Sequence, residues 1–455
     1  MNILLISMNR LDVPFPVYPI GLDYVAGALP ERHRPRILDL CRCRVGEEEG
    51  PIREAIQDFP VQAVGISIRN IDNTDIAELR NFLGDMKAAV DAVRRVTSAP
   101  IILGGAGYTL FPGELLEALG ADYGIIGEGE RMGLLLDRLE EGGRPDAETM
   151  PFVAVRGQKA LRPIAWEGSH TVRSDPRNNP QFAHYMRRGG MLNIQTKRGC
   201  PFRCAYCTYP ALEGRRMRLF DPEALGKEAR MLQEAGAKYL FITDSAFNAH
   251  EAHSLEVARS FRKHGLTIPW GGYFAPRRPP EGYYQTMAEC GLTHAEFGTD
   301  VLSEKMLVNI GKSFTVEDAL AAQASARAAG IHTAHFMLLG GPGETLETID
   351  ETLRNADRLE GAALFFFCGM RIYPNTPLYD VALREGQITP EQDLLVSTFY
   401  KPAGLTDDVI MERCRQHARG RMNWVVGSGG DKFAKLTARM HQRGRVGPLW
   451  ELLTV

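Results

Sequence analysis

Three cysteines stand at C-x-x-x-C-x-x-C spacing in Thr196-Lys197-Arg198-Gly199-Cys200-Pro201-Phe202-Arg203-Cys204-Ala205-Tyr206-Cys207-Thr208. Thiolates are the usual ligands of cubic iron-sulfur clusters, so Cys200, Cys204 and Cys207 can hold three irons of a 4Fe-4S cluster and leave the fourth open. That open iron is where chemistry can happen. The competing assignment is a zinc knuckle, which needs four ligands, commonly as two close pairs; no further Cys or His pair stands nearby. Three of the eight cysteines fall within eight residues, which points to a metal in a reducing compartment and not to a disulfide framework. Cys41, Cys43, Cys290, Cys368 and Cys414 are expected to be structural, since a free thiol is often a small buried hydrophobe.

The rest of the chain must position that loop. Its 455 residues exceed one ordinary core, so two or three domains are expected. No apolar run is long enough to span a membrane, and residues 1–7 are too short and lack the basic flank of a leader, so a cytoplasmic location is expected. A net charge of -3 removes the global electrostatic case for nucleic acid.

Residues 1–142 alternate short apolar strands (2–8, 36–40, 63–68, 101–105, 123–127) with helices (21–29, 52–59, 75–96). That is the pattern of an α/β, Rossmann-like domain with a parallel sheet covered by helices. Ligands of such sheets sit beyond the carboxyl ends of the strands. Those ends carry Ser67, the turn Gly104-Gly105-Ala106-Gly107-Tyr108-Thr109, and Gly127-Glu128-Gly129-Glu130. Glycines there admit a bulky ligand to the backbone, and Ser67 and Thr109 offer hydroxyls. A dinucleotide fingerprint would follow the first strand, where Met8-Asn9-Arg10 stands instead.

Residues 143–188, rich in Pro, Arg, Gly and Asn, predict a linker with one short strand at 152–155. From Met191 the alternation restarts with six strands (191–196, 239–243, 270–274, 293–297, 332–339, 363–370). This predicts a partial (β/α)6 barrel over 189–400 with its site at the carboxyl-end mouth. Trp270 is expected to fill the barrel, and Arg215-Arg216-Met217-Arg218 is either a solvated basic face or a partner for an acidic group. Residues 401–455 predict a small helical C-terminal region, with helices at 411–422 and 432–441 separated by Gly427-Ser428-Gly429-Gly430, packed at the barrel mouth.

The cysteine triad, with the aromatic Tyr206 before its last member, resembles the radical SAM superfamily over residues 190–390. Further matches follow the strand order: Thr243-Asp244-Ser245, Phe297-Gly298-Thr299-Asp300 where relatives carry Gly-x-Glu-Ser, Phe336 to Thr345 including Gly340-Gly341-Pro342-Gly343-Glu344, and Arg371 to Tyr379. The resemblance implies that S-adenosylmethionine (SAM) binds the open iron and touches Tyr206, Thr243, Asp244, Ser245, Asp300, Met337, Gly340 and Tyr373. Asp300 would take the ribose hydroxyls. Residues 1–142 resemble the cobalamin-binding domain attached to many radical SAM enzymes. That likeness implies a cobalamin site from Tyr18, Pro19, Gly21, Ser67, Arg69, Asn70, Gly104, Gly105, Ala106, Gly107, Thr109, Gly127 and Glu128. The Asp-x-His-x-x-Gly segment of older cobalamin domains is missing and His33 stands in the wrong place, so no histidine is offered to cobalt; Arg69 or Asn70 would lie beneath the corrin.

Together the resemblances imply a cobalamin-dependent radical SAM enzyme, a methyltransferase acting on an unactivated carbon or phosphorus of a small-molecule, lipid or peptide substrate. One SAM methylates the cobalamin, a second yields the 5′-deoxyadenosyl radical, and a flavodoxin or ferredoxin supplies the electron. A cyclase or ring-rearranging enzyme without net methylation is the alternative, and Cys207-Thr208-Tyr209-Pro210 with Glu213-Gly214-Arg215-Arg216 resembles a lipid-biosynthesis subgroup. A tRNA methylthiotransferase would need a second three-cysteine cluster, where only Cys41 and Cys43 stand. A cobalamin carrier or light sensor gives no reason for the triad.

Overall fold

The computed structural model describes residues 1–12, 15–159, 172–427 and 430–454, so Ser428 and Gly429 lie outside the described residues. The chain forms two compact units. The first comprises Met1–Asn73, Arg80–Tyr185 and Ala211–Gly214, and the second Thr74–Leu79, Met186–Pro210 and Arg215–Val455.

In the first unit the order is β1 (Asn2–Ser7), α1 (Ile20–Ala28), β2 (Arg34–Asp39), α2 (Glu49–Ile56), β3 (Ala63–Ser67), α3 (Leu83–Val96) and β4 (Ile101–Gly104). Next come α4 (Ala106–Leu110), α5 (Pro112–Leu119), β5 (Tyr123–Ile125), α6 (Met132–Glu140) and β6 (Val153–Val155). The sheet runs β2-β1-β3-β4-β5-β6, parallel except for β6. Strand β1 is buried from Ile3 to Ser7, as expected of a strand covered by helices on both faces. Ile3, Leu5, Ile37 and Ile102 pack with Leu22 of α1 and Leu135 of α6, each side chain contributing roughly 1.5–3 kcal/mol by burial.

The first unit departs from expectation at one helix and at the linker. The long helix at 75–96 begins only at Leu83, because the Asp75 carboxylate accepts from the Ala77 backbone at 2.9 Å and Asp72 bridges Asn81, closing a turn instead. The linker is, over its described part, no free connector. Arg173 pairs with the buried Asp23, while Asn179 and Tyr185 both donate to Asp39 Oδ2, at 2.9 and 2.8 Å.

After α7 (Phe182–Arg187) the chain runs β7 (Met191–Ile194), β8 (Lys197–Arg198), α8 (Tyr209–Leu212, its last two residues counted with the first unit), β9 (Arg218–Leu219), α9 (Pro222–Ala235), β10 (Tyr239–Ile242), α10 (Glu251–Lys263) and β11 (Trp270–Phe274). It continues with α11 (Tyr283–Glu289), β12 (Leu292–Asp300), α12 (Glu304–Asn309), α13 (Val316–Ala328), β13 (His332–Leu339), α14 (Leu346–Ala356) and β14 (Ala363–Cys368). Last come α15 (Pro377–Arg384), α16 (Asp407–His417), β15 (Trp424–Val426) and α17 (Gly430–Gln442). Helix starts follow local chemistry: Asp221 caps α9 ahead of Pro222, worth about 1 kcal/mol, and Thr315 with Asp318 forms a capping box on α13.

The main sheet has seven parallel strands, β7-β10-β11-β12-β13-β14-β15, one more than expected. The C-terminal tail does not pack only at the mouth. Trp450 joins Ala334, Ala363 and Phe365, and its indole donates to Glu296 Oε1 at 2.9 Å. Glu451 lies 3.2 Å from His294, near the amino end of β12, so this part of the tail closes the barrel floor. The start of α16 lies near the mouth, where the Cys368 thiol, at the end of β14, donates to Asp407 at 3.6 Å.

Candidate active site

The cysteine loop follows β8, whose pairing with β9 ties its entry down. Its interior is pinned twice: Ala205 N donates to Ile310 O and Leu378 N donates to Ala205 O, both at 2.9 Å. Gly311, at φ 71°, lets the chain after α12 press on the loop, since a Cβ there would lie 2.3 Å from Arg203 O. All three thiols are free of disulfides; Cys200 is buried, Cys204 and Cys207 half-buried. Burial pushes the Cys207 thiol up to about 12 and raises that of Cys204, against the pull of Lys312. Three unpaired thiols on one fixed loop fit a cluster whose binding would ionise them.

Asp300 ends β12 at φ 63° and gathers the site. Tyr206 donates to Asp300 Oδ2 at 2.5 Å, and Lys312 Nζ lies 2.5 Å from the same oxygen while donating to Gly298 O at 3.2 Å. Burial alone would lower the Lys312 pKa, but Asp300 and the Cys204 thiol outweigh it and hold the ammonium above the ordinary lysine value. Tyr206 and Asp300, both among the SAM contacts that the resemblance implies, are brought together here. Lys312 was not among the expected contacts; α12 was unread, and only the Gly311-Lys312 pair hinted at a charge brought back to the loop.

Other expected SAM contacts divide. Asp244 is committed inside the protein. It accepts Thr196 N at 2.8 Å and Thr196 Oγ1 at 2.5 Å, with Lys197 Nζ at 3.9 Å, so it holds the approach to the cysteine loop. The neighbouring Ser245 Oγ is buried without a hydrogen-bond partner, an orphan that a ligand would satisfy. Thr243 Oγ1 reaches Ile194 O at 3.4 Å. Gly340 donates to Glu344 Oε2 at 3.1 Å, and Glu344 also accepts from Thr348, so that carboxylate braces the turn after β13. Met337 is buried in β13, and Tyr373 lies under the Arg371 guanidinium at 4.5 Å.

In the first unit, the strand order reverses between β1 and β3, the place where such sheets bind ligands. A concavity there is lined by Met8, Asn9, Arg10, Ile68, Arg69 and Asn70, with Arg80 and Phe82. Arg69 and Asn70 are exposed, as a ligand platform requires. Arg10, which sequence reasoning passed over, pairs with the buried Glu48 at 2.6 Å and keeps Nε and Nη1 buried without partners. Gly105, at φ 99°, is demanded by packing, because a Cβ would lie 2.5 Å from Ile68 O; a Cβ on Gly104 would meet nothing within 4 Å. Gly107 N donates to Ile68 O at 3.0 Å. Ser67 is half-buried at the end of β3, Pro19 precedes α1, Gly21 is exposed within it, and Ala106 opens α4.

Two residues expected to touch cobalamin have their hydroxyls engaged within the protein. The Tyr18 hydroxyl is spent on Asp23 at 3.0 Å and Pro176 O at 3.1 Å. The Thr109 hydroxyl donates to Gly105 O at 2.9 Å and accepts from Gly127 N at 3.0 Å, tying two turns together. Glu128 is buried 3.8 Å from Arg131. His33 pairs with Asp137 at 2.8 Å just before β2, at the amino edge away from these turns. The open Gly104, the unsatisfied Arg10 and the exposed Arg69 and Asn70 fit cobalamin at the switch point.

Residues 194–356 match the radical SAM superfamily and residues 6–135 match the B12-binding domain. The chain belongs to the cobalamin-dependent radical SAM enzymes. The enzyme is 27% identical to tryptophan 2-C-methyltransferase of Streptomyces laurentii, over 82% of this chain and 73% of that protein. To cytidylyl-2-hydroxyethylphosphonate methyltransferase of Streptomyces wedmorensis it is 25% identical, over 86% and 83%. An anaerobic magnesium-protoporphyrin IX monomethyl ester cyclase of Rubrivivax gelatinosus, 25% identical, is matched over only 56% of this chain and 48% of that one. The enzyme stands with the methyltransferases, not the cyclases. Its fold is that of the radical S-adenosylmethionine methyltransferase TsrM from Kitasatospora setae, solved with cobalamin and a [4Fe-4S] cluster (TM-score 0.86, 22% identity, covering 100% of this chain and 97% of that one). Among the described residues no helix is long and apolar enough to cross a membrane.

Proposed function

We propose that the enzyme moves a methyl group from SAM, by way of cobalamin, to an unactivated carbon of a small molecule, and that it works in the cytoplasm with an electron from a flavodoxin- or ferredoxin-like donor. The observation that carries the reading is the Lys312–Asp300–Tyr206 constellation beside three free thiols at a barrel mouth. When bound, the cluster and SAM supply a one-electron source and cobalamin a methyl carrier.

The chain's own residues do the rest. Cys200, Cys204 and Cys207 would hold the cluster, and Ser245 offers SAM a buried hydroxyl. Asp300 accepts hydrogen bonds from hydroxyl groups, with Lys312 neutralising its charge and Tyr206 fixing its direction. Arg10, Arg69 and Asn70 would hold the corrin and its side chains from the β1–β3 crevice. Small-molecule substrates are favoured by the relatives that act on tryptophan and on a cytidylyl phosphonate.

The test is anaerobic purification with iron and cobalamin, then incubation with methyl-labelled SAM, reductant and candidate small molecules. Corrin absorption and label in a product are expected. Release of 5′-deoxyadenosine with no label in any product would remove the methyl-transfer reading.

A further inference from the structure

The chain after α12 runs along the cysteine loop. Ile310 O accepts from Ala205 N at 2.9 Å, and a Cβ on Gly311 would lie 3.8 Å from Cys204 Cα, so the next residue, Lys312, starts beside the second of the three cysteines. Its side chain is only 6% exposed, which leaves the ammonium poorly screened by water. The Nζ lies 5.7 Å from the centre of the Tyr206 ring and 5.9 Å from that of Phe314, distances at which ring faces hold a cation.

An ammonium has three N–H donors. Asp300 Oδ2 at 2.5 Å and Gly298 O at 3.2 Å engage two of them. The third is left for sulfur. Burial acts most on the Cys204 thiol and raises its pKa; among the neighbouring charges Lys312 acts most, in the opposite direction and also as a hydrogen-bond donor, ahead of Asp300. Cys207 feels the same ammonium. Asp300 also accepts from Tyr206, so its charge is shared between two partners on one oxygen. At the cysteine loop the ion pair is therefore lopsided, with its positive end acting on Cys204.

We propose that Lys312 sets the reduction potential of the cluster, by giving its third N–H to the Cys204 sulfur and keeping a positive charge against that thiolate. The inference rests on Cys200, Cys204 and Cys207 as the cluster ligands. Hydrogen bonds to the sulfurs and net charge are what tune such clusters. A cation beside the sulfur stabilises the more negative, reduced state, so the potential rises. One electron enters from the external donor; no bond breaks and no proton is transferred.

The experiment uses the full chain, anaerobically reconstituted with iron, sulfide and cobalamin and poised at a series of potentials with titanium(III) citrate and redox dyes. The paramagnetic reduced cluster is counted by electron paramagnetic resonance. Lys312→Met with Asp300→Asn, which removes both charges together, should move the reduction equilibrium at least tenfold toward the oxidised cluster, about 59 mV for one electron. Asp300→Asn alone leaves the ammonium unopposed and should move it the other way, a divergence that a merely structural role would not produce. The midpoint is read from the fraction reduced, so a lower cluster content does not shift it. Midpoints unchanged in both variants, or displaced in the same direction, overturn the proposal. A parent enzyme without a reducible cluster overturns the ligand assignment along with it. Methyl incorporation plays no part in the readout, so this inference and the methyl-transfer reading fail by different results.

Discussion

Lys312 Nζ and Asp300 Oδ2 lie 2.5 Å apart, both side chains nearly buried, in the space between the cysteine loop and the end of β12. A buried pair of this kind is costly to break from one side, because the survivor is left as an uncompensated charge, at about 3–5 kcal/mol. Lys312→Met should therefore lower unfolding stability by that order, while Lys312→Met with Asp300→Asn recovers most of it. The double variant should still bind iron, yet its affinity for SAM should fall roughly 10–100-fold, the loss of one or two charge-assisted hydrogen bonds. Denaturant titration, iron content and SAM equilibrium dialysis check the three statements; full SAM affinity in the double variant would contradict them.

Asp244 makes a different prediction because it ties down the approach to the cysteine loop through Thr196. Asp244→Ala removes the acceptor for Thr196 N and Thr196 Oγ1 and leaves the buried Lys197 ammonium alone. Stability should fall by about 3–5 kcal/mol and cluster content with it. A variant of normal stability with only weaker SAM binding would return Asp244 to the ligand contacts.

In the first unit Thr109 links the turns of Gly105 and Gly127 through one hydroxyl. Gly105 O keeps the Thr109 backbone N–H at 3.0 Å, so Thr109→Val should cost about 1–3 kcal/mol by leaving the Gly127 N–H unmatched, and Thr109→Ser should restore it. Corrin retained after dialysis should fall in the valine variant and return in the serine variant.

These residues show where sequence reasoning succeeds. Strand order, glycine turns and the cysteine spacing are local patterns, so the two α/β units and the cluster loop could be read directly. Asp244 and Tyr18 sit at the expected strand and turn positions, but a side chain's partner is a long-range fact. Asp244 faces Thr196, 48 residues away, and Tyr18 faces Pro176, 158 away. Lys312 and Trp450 escaped for the same reason: each acts on a strand residue that only the closed barrel brings near. Strand β15 was missed because three residues, Trp424–Val426, are too short for any alternation to show.

Glu296 gives the pH dependence of stability. Its burial raises the carboxyl from the ordinary 4.5 to about 7, with the Trp450 indole pulling in the opposite direction. A raised folded-state value means the folded protein binds the proton more tightly than the unfolded chain. The stabilisation is therefore complete below about pH 4.5 and is lost as pH rises through about 7. Glu296→Gln keeps an acceptor for Trp450 but cannot ionise, so it should leave this loss out. Near pH 4, below both values, the two proteins should differ little in this respect. By pH 8 the glutamine variant should be the more stable by about 3 kcal/mol, at 1.36 kcal/mol per unit of displacement. Denaturant unfolding at both pH values measures the difference, and a glutamine variant with no gain at pH 8 would show that the carboxylate is solvated in the folded protein.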